Sequence, residues 1–102
     1  MRRPVTWSRG ALDDIKVQVS FIAMDNPSAA RRVADRIRDT GIALGEFATG
    51  RPGRVTGTYE VPIARLPYLI SYALLSVAGR ENVVILHVIH TARDWPVEDW
   101  PE

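Results

Sequence analysis

The chain contains no cysteine, one lysine (Lys16) and two histidines, and no apolar run reaches the roughly eighteen residues that span a bilayer. The first absence removes disulfides, thiolate nucleophiles and cysteine-based zinc sites together, and is compatible with a reducing compartment. The shortage of histidine leaves little for a metal. His87 and His90 lie three residues apart on one extended segment, so they project to opposite faces and cannot chelate one ion together. Neither a metal nor a cofactor is expected. Met1-Arg2-Arg3-Pro4 leads into Val-Thr-Trp-Ser rather than into the apolar segment of a signal peptide. A soluble cytoplasmic protein without membrane contact is the expectation.

What is present describes an ordinary globular chain. Its 102 residues, 46% apolar and 25% charged, fit a single domain over 1–102 with one modest core, and residues 94–102 read as an extended C-terminal tail. A core of this size leaves room for a partner chain to add stability. The net charge of +1 conceals an uneven distribution, basic from Arg31 to Arg65 and acidic from Asp94 to Glu102. Arginine supplies nearly all the positive charge, and its planar fork suits carboxylate or phosphate.

Val5, Thr6 and Trp7 are β-branched and aromatic and read as a first strand, stopped by Ser8, a helix N-cap residue. Ala11, Leu12, Ile15, Val19, Ile22 and Ala23 then recur at helical spacing to near Met24, with Asp13 and Asp14 placed in the first turn. Asn26 and Pro27 end this helix and start another, because asparagine caps and proline at the first position loses no needed hydrogen bond. In the second helix Ala30, Val33, Ile37, Leu44 and Phe47 form the apolar stripe, and the spacing of Gly41 and Gly45 permits close backbone approach to a neighbour. Residues 48–57 are a turn-rich loop without a phosphate-loop signature. Strands follow over 58–61, 68–75 and 82–90, with Ala78-Gly79-Arg80-Glu81 as a hairpin turn. The fold class is α+β: an N-terminal strand, a helical hairpin, then a three-stranded antiparallel meander with one sheet face on the helices and the other partly open.

Candidate chemistry is sparse. His90, at a strand end near Arg93, suits a general base and equally a hydrogen-bonded structural histidine. Ser71 and Ser76 lack a nucleophile elbow, and the paired carboxylates Asp13-Asp14 and Glu98-Asp99 are explained by solvation. Arg51, Arg54, Arg65, Arg80 and Arg93 fall in loops or at strand ends, where a meander can bring them to one sheet edge. Tyr59, Tyr68, Tyr72 and Trp95 can interleave with them as stacking platforms do in single-stranded nucleic-acid binders, or equally serve as core and sheet-face packing.

The sequence resembles the RelE/ParE superfamily of toxins from type II toxin–antitoxin modules, including plasmid stabilisation proteins. The resemblance rests on Val5-Thr6-Trp7-Ser8, on Asp25-Asn26-Pro27 followed by Ala29-Ala30-Arg31, on Gly50 to Val55, on Pro67 to Tyr72, and on Val88 to Pro96. It implies a sheet packed against a helical hairpin and a cognate antitoxin that wraps the toxin, with operator DNA met only through the antitoxin. It also implies one of two mechanisms, inhibition of DNA gyrase in ParE-like members or ribosome-dependent mRNA cleavage in RelE-like ones. The ribonuclease members carry basic residues on a strand where this chain has Glu60 and Pro62, an arginine where Leu69 follows Tyr68, and a terminal tyrosine where Trp95 stands. The ParE-like reading is therefore expected: a non-catalytic toxin whose target- or partner-binding residues are Arg51, Arg54, Arg65, Tyr68, Arg80, Arg93 and Trp95. The alternative is an endoribonuclease relying on His90 and Arg93.

Overall fold

The structure, a computed structural model, describes residues 2–91; Arg93, Trp95 and the tail over 94–102 lie outside the described residues. Its elements are β1 (Val5–Trp7), α1 (Arg9–Asp25), α2 (Pro27–Leu44), β2 (Arg51–Pro52), β3 (Tyr59–Pro62), β4 (Tyr68–Val77) and β5 (Arg80–His90). The α+β class and the helical hairpin stand as expected. The sheet is larger than expected, with five strands in the order β1-β5-β4-β3-β2.

Local chemistry sets the helix ends. Ser8 Oγ accepts from the Ala11 N–H at 3.1 Å at the start of α1. Asn26 serves both helices: its N–H donates to the Ile22 carbonyl at 2.9 Å, closing α1, and its side chain accepts from the Ala29 N–H at 3.0 Å, opening α2. Because α1 begins at Arg9, Asp13 and Asp14 fall in its second turn rather than its first. α2 ends at Leu44, so Phe47 lies beyond the stripe and is 71% exposed.

The three residues of β1 pair in parallel with Val83, Val84 and Ile85 of β5, inserting the N-terminus beside the last strand. β4 and β5 form a long antiparallel hairpin whose two-residue turn, Ala78–Gly79, takes left-handed φ values of 53° and 76°. The turn is thus tighter than the sequence suggested, and Arg80 and Glu81 already belong to β5. β2, unforeseen in the sequence, adds two residues to the outer edge of β3, and its Pro52 has no N–H to offer a further strand.

The main core lies between the hairpin and one sheet face. Tyr68, Ile70 and Tyr72 of β4 meet Val83, Ile85 and Val88 of β5 beneath Val33, Ile37 and Leu44 of α2 and Ala11 of α1. Val83, Ile85 and Val88 break strict alternation because Ser71 faces His87 while Tyr72 faces Ile85, leaving Leu86 as a bulge residue. Leu69 and Ile89 form a smaller cluster under Val55, so the second face is partly roofed by the loop between β2 and β3.

Gly41 is buried in α2, and a methyl group there would run into the Trp7 indole and come within 2.9 Å of Ile85 Cδ1. The glycine pair thus allows the close approach that its spacing suggested. Gly41→Ala is expected to lower stability by about 1–2 kcal/mol through overpacking, although alanine favours helix by about 1 kcal/mol. Urea denaturation checks this, and a stabilised variant would mean that Trp7 does not hold α2 at this point.

Candidate functional site

Among the described residues, the structure holds Arg80 apart from the Tyr68 end of the sheet. Arg51 is exposed on β2, Arg65 is exposed in the β3–β4 turn, and Arg80 opens β5 opposite Val77. Tyr68 pairs with His90 at the other end of that hairpin, roughly 30 Å away at about 3.3 Å per residue. The length of β4 and β5 is the reason: residues at their two ends cannot share a site. Arg80 instead joins Arg2, Arg3 and Glu81 around a shallow cavity of ≈ 230 Å³. Arg2 pairs there with Glu46 and Arg3 with Glu81.

Tyr68 is also not a surface residue. It is buried in the main core, with its ring edge-on to His90 at a centroid distance of 5.0 Å. His90 therefore packs as an aromatic neighbour of Tyr68. Arg54 lies over Glu60, its Nε 3.9 Å from Oε2, and its own backbone N–H donates to that oxygen at 3.1 Å.

Sequence reasoning missed a row of buried polar residues across the sheet. Glu60 on β3 pairs with Ser71 on β4, which faces His87 on β5. They are 3%, 0% and 7% exposed. No local pattern announces the row, because strand register alone brings the three together. Glu60 uses its carboxylate to anchor the 53–58 loop through Arg54, and Gly53 N–H donating to the Thr58 carbonyl at 2.8 Å closes that loop. Through this anchor Val55 is held over Leu69 and Ile89.

At the other end of the row, His87 Nδ1 lies 3.0 Å from Asp14 Oδ2, and the same oxygen accepts the Val88 N–H at 3.0 Å. Ser71, His87 and Asp14 thus follow the order of nucleophile, base and orienting acid. The chemistry does not follow, because Ser71 Oγ is buried and has no hydrogen-bond partner, so the imidazole does not take its proton. The Asp14–His87 pair fastens α1 to the sheet instead. Among the described residues, no three histidine, aspartate or glutamate side chains gather as metal ligands, and no helix is long and apolar enough to cross a membrane.

The open chemistry lies on the surface of the hairpin. Val17, Phe21 and Met24 occupy successive turns of the outer side of α1 and are 64%, 73% and 81% exposed. Large apolar side chains in an unbroken row on a small domain mark an interaction surface.

Comparison with known proteins matches this architecture. The chain matches the family described as ParE toxin of type II toxin-antitoxin system, parDE, over residues 5–95. It is 38% identical over 96 residues to the candidate toxin Y4kP of Sinorhizobium fredii, covering 93% of this chain and 95% of that protein. In three dimensions it resembles a chain of the chromosomal ParDE toxin–antitoxin system from P. aeruginosa, with a TM-score of 0.76 and 22% identity over 87% of this chain and 96% of that one. A chain of the RelBE2 toxin–antitoxin complex from Mycobacterium tuberculosis gives a TM-score of 0.61 and 21% identity over 88% and 99% of the two chains. The fold is thus that of the RelE/ParE superfamily toxins. Within it, the chain belongs to the ParE toxin family of type II toxin–antitoxin systems.

One core residue carries a pH signature. Tyr72 is buried, stacks on Tyr59 at 5.6 Å and donates its hydroxyl to the Thr49 carbonyl. Burial, reinforced by the neighbouring Tyr59 phenol, pushes its pKa above the ordinary tyrosine value of 10.0. The folded protein therefore holds this proton more tightly than the unfolded chain does. That stabilisation is complete below about pH 10 and is lost as pH rises through the folded-state value. Tyr72→Phe is expected to cost about 1 kcal/mol at neutral pH and to flatten the alkaline decline, as read from urea midpoints between neutral and strongly alkaline pH.

Proposed function

We propose that this toxin acts by binding DNA gyrase, without cleaving RNA, and is neutralised in the cytoplasm by a cognate antitoxin. The observation that carries the non-catalytic reading is the state of the second sheet face. A cleaving phosphate needs preorganised positive charge and a proton carrier. Where ribonuclease members of the superfamily place strand lysines, this chain has a buried Glu60 already tied to Arg54, and Leu69 is covered by Val55. The carboxylate opposes the required charge, and the apolar cover leaves little room for a nucleotide.

The antitoxin reading is supported by the family and by the two solved neighbours, which come from toxin–antitoxin systems. The apolar row of Val17, Phe21 and Met24 suits the apolar face of an amphipathic antitoxin helix, which reads a partner at i, i+4 and i+7. Operator DNA is then met through the antitoxin, since a net charge of +1 is a poor footprint for direct phosphate binding.

Purified toxin is expected to inhibit gyrase supercoiling at micromolar concentration while leaving ribosome-bound mRNA intact in primer extension. Active gyrase together with cut mRNA would replace this reading with the RelE type. Phe21→Glu is expected to weaken binding of the antitoxin encoded next to this chain by about tenfold or more, measured by calorimetry on refolded protein. Unchanged affinity would move the antitoxin away from α1.

A further inference from the structure

The turn between β3 and β4 carries an arginine where the backbone favours glycine. The Leu66 N–H donates to the Ile63 carbonyl at 3.2 Å, closing the turn, and Arg65 within it has φ of 66°. A residue with a side chain is uncommon in this left-handed region, because its Cβ crowds the backbone. The turn is also fastened in place: Arg36 Nη1 on α2 donates to the Ala64 carbonyl at 2.8 Å. Arg65 is therefore held beside Arg36, and Arg32 lies one helical turn before Arg36 on the same side of α2. All three arginines are exposed.

The two acidic residues of this stretch of α2 are engaged by another side chain, Arg38, which lies 3.4 Å from Asp35 and 3.2 Å from Asp39. Among the described residues, no carboxylate pairs with Arg32, Arg36 or Arg65. Three guanidinium groups without a carboxylate partner among the described residues thus belong to a patch whose shape is set by a tight turn and a helix.

We propose that Arg32, Arg36 and Arg65 form a docking surface for an acidic segment of a partner protein. Planar guanidinium forks bind carboxylates in pairs of parallel hydrogen bonds, which gives such a patch geometric selectivity as well as charge. A peptide suits it better than a nucleic-acid backbone for two reasons. The patch is limited to three arginines on a chain of net charge +1, a small footprint for a continuous row of phosphates. The turn is also flanked by the exposed Pro62 and Pro67, which offer apolar contact to a side chain between the carboxylates. The surface is separate from the α1 row and does not depend on gyrase being the target.

Fluorescence anisotropy of the full chain tests this with three probes: a short synthetic peptide rich in Glu and Leu, its Glu-to-Gln counterpart, and an oligothymidylate of equal charge. The acidic peptide is expected to bind with an affinity that falls as salt is raised, and to bind at least about tenfold more tightly than either other probe. Arg32→Gln and Arg65→Gln are each expected to weaken it by about fivefold or more. Arg65→Gly separates binding from folding: it should weaken the peptide equally while raising Tm by about 2–4 °C, since glycine suits the turn. Equal binding of the oligothymidylate, no preference for Glu over Gln, or unchanged affinity in the variants would overturn the proposal. A lower Tm in Arg65→Gly would overturn the role assigned to Arg65, because the arginine would then be serving the fold.

Discussion

The rest of the structure depends on how the outer edge of β5 is completed. β5 has eleven residues and β1 covers only three of them. Beyond Ile85 the ladder would end with bare backbone groups, an arrangement that invites pairing with a foreign strand and leaves polar atoms without partners at about 1–3 kcal/mol each if buried. Side chains of α1 take over where β1 stops. Ser8 Oγ donates to the Leu86 carbonyl at 2.9 Å, Asp14 accepts the Val88 N–H at 3.0 Å, and Gln18 Nε2 donates to the Val88 carbonyl at 2.9 Å. Because Asp14 and Gln18 are one helical turn apart, this requirement fixes both the axial position and the rotation of α1. The short Asn26 link then places α2, and the main core follows.

This commitment divides the molecule into surfaces with different duties. The inner side of α1 is used up in holding the strand edge, which explains why a helix with apolar residues on several sides buries so few of them completely. Its outer side is left with Val17, Phe21 and Met24. The second face of the sheet is given over to stability as well, since the Glu60 carboxylate anchors the loop that covers Leu69 and Ile89. Among the described residues, the helical hairpin and the turn fastened to it keep exposed side chains suited to contact with other proteins.

Much of this was legible from local chemistry and little of it from distance. Val5, Thr6 and Trp7 formed the expected strand, and Asn26 with Pro27 marked the helix junction to the residue. Capping and β-branching are short-range causes, and they leave short-range signals. β2 escaped because Arg51 and Pro52 are both exposed and flanked by glycines, so there was no alternation to read. The parallel pairing of β1 with β5 joins the two ends of the chain and has no local signature at all. Asp14 was read as a helix-end charge, yet its partners, His87 and Val88, are 73 and 74 residues away. The site suffered most. The polar row of Glu60, Ser71 and His87 depends on register and a bulge, and strand length alone keeps Arg80 from Tyr68.

The brevity of β1 and β2 bears on the life of the toxin outside its complex. The two outer strands have three and two residues, and one of those two is a proline. Among the described residues, both rims of the sheet are short templates for strand addition, and helix side chains occupy Leu86 and Val88 of β5. On the reading proposed above, losing the antitoxin uncovers a helix surface and not a strand edge.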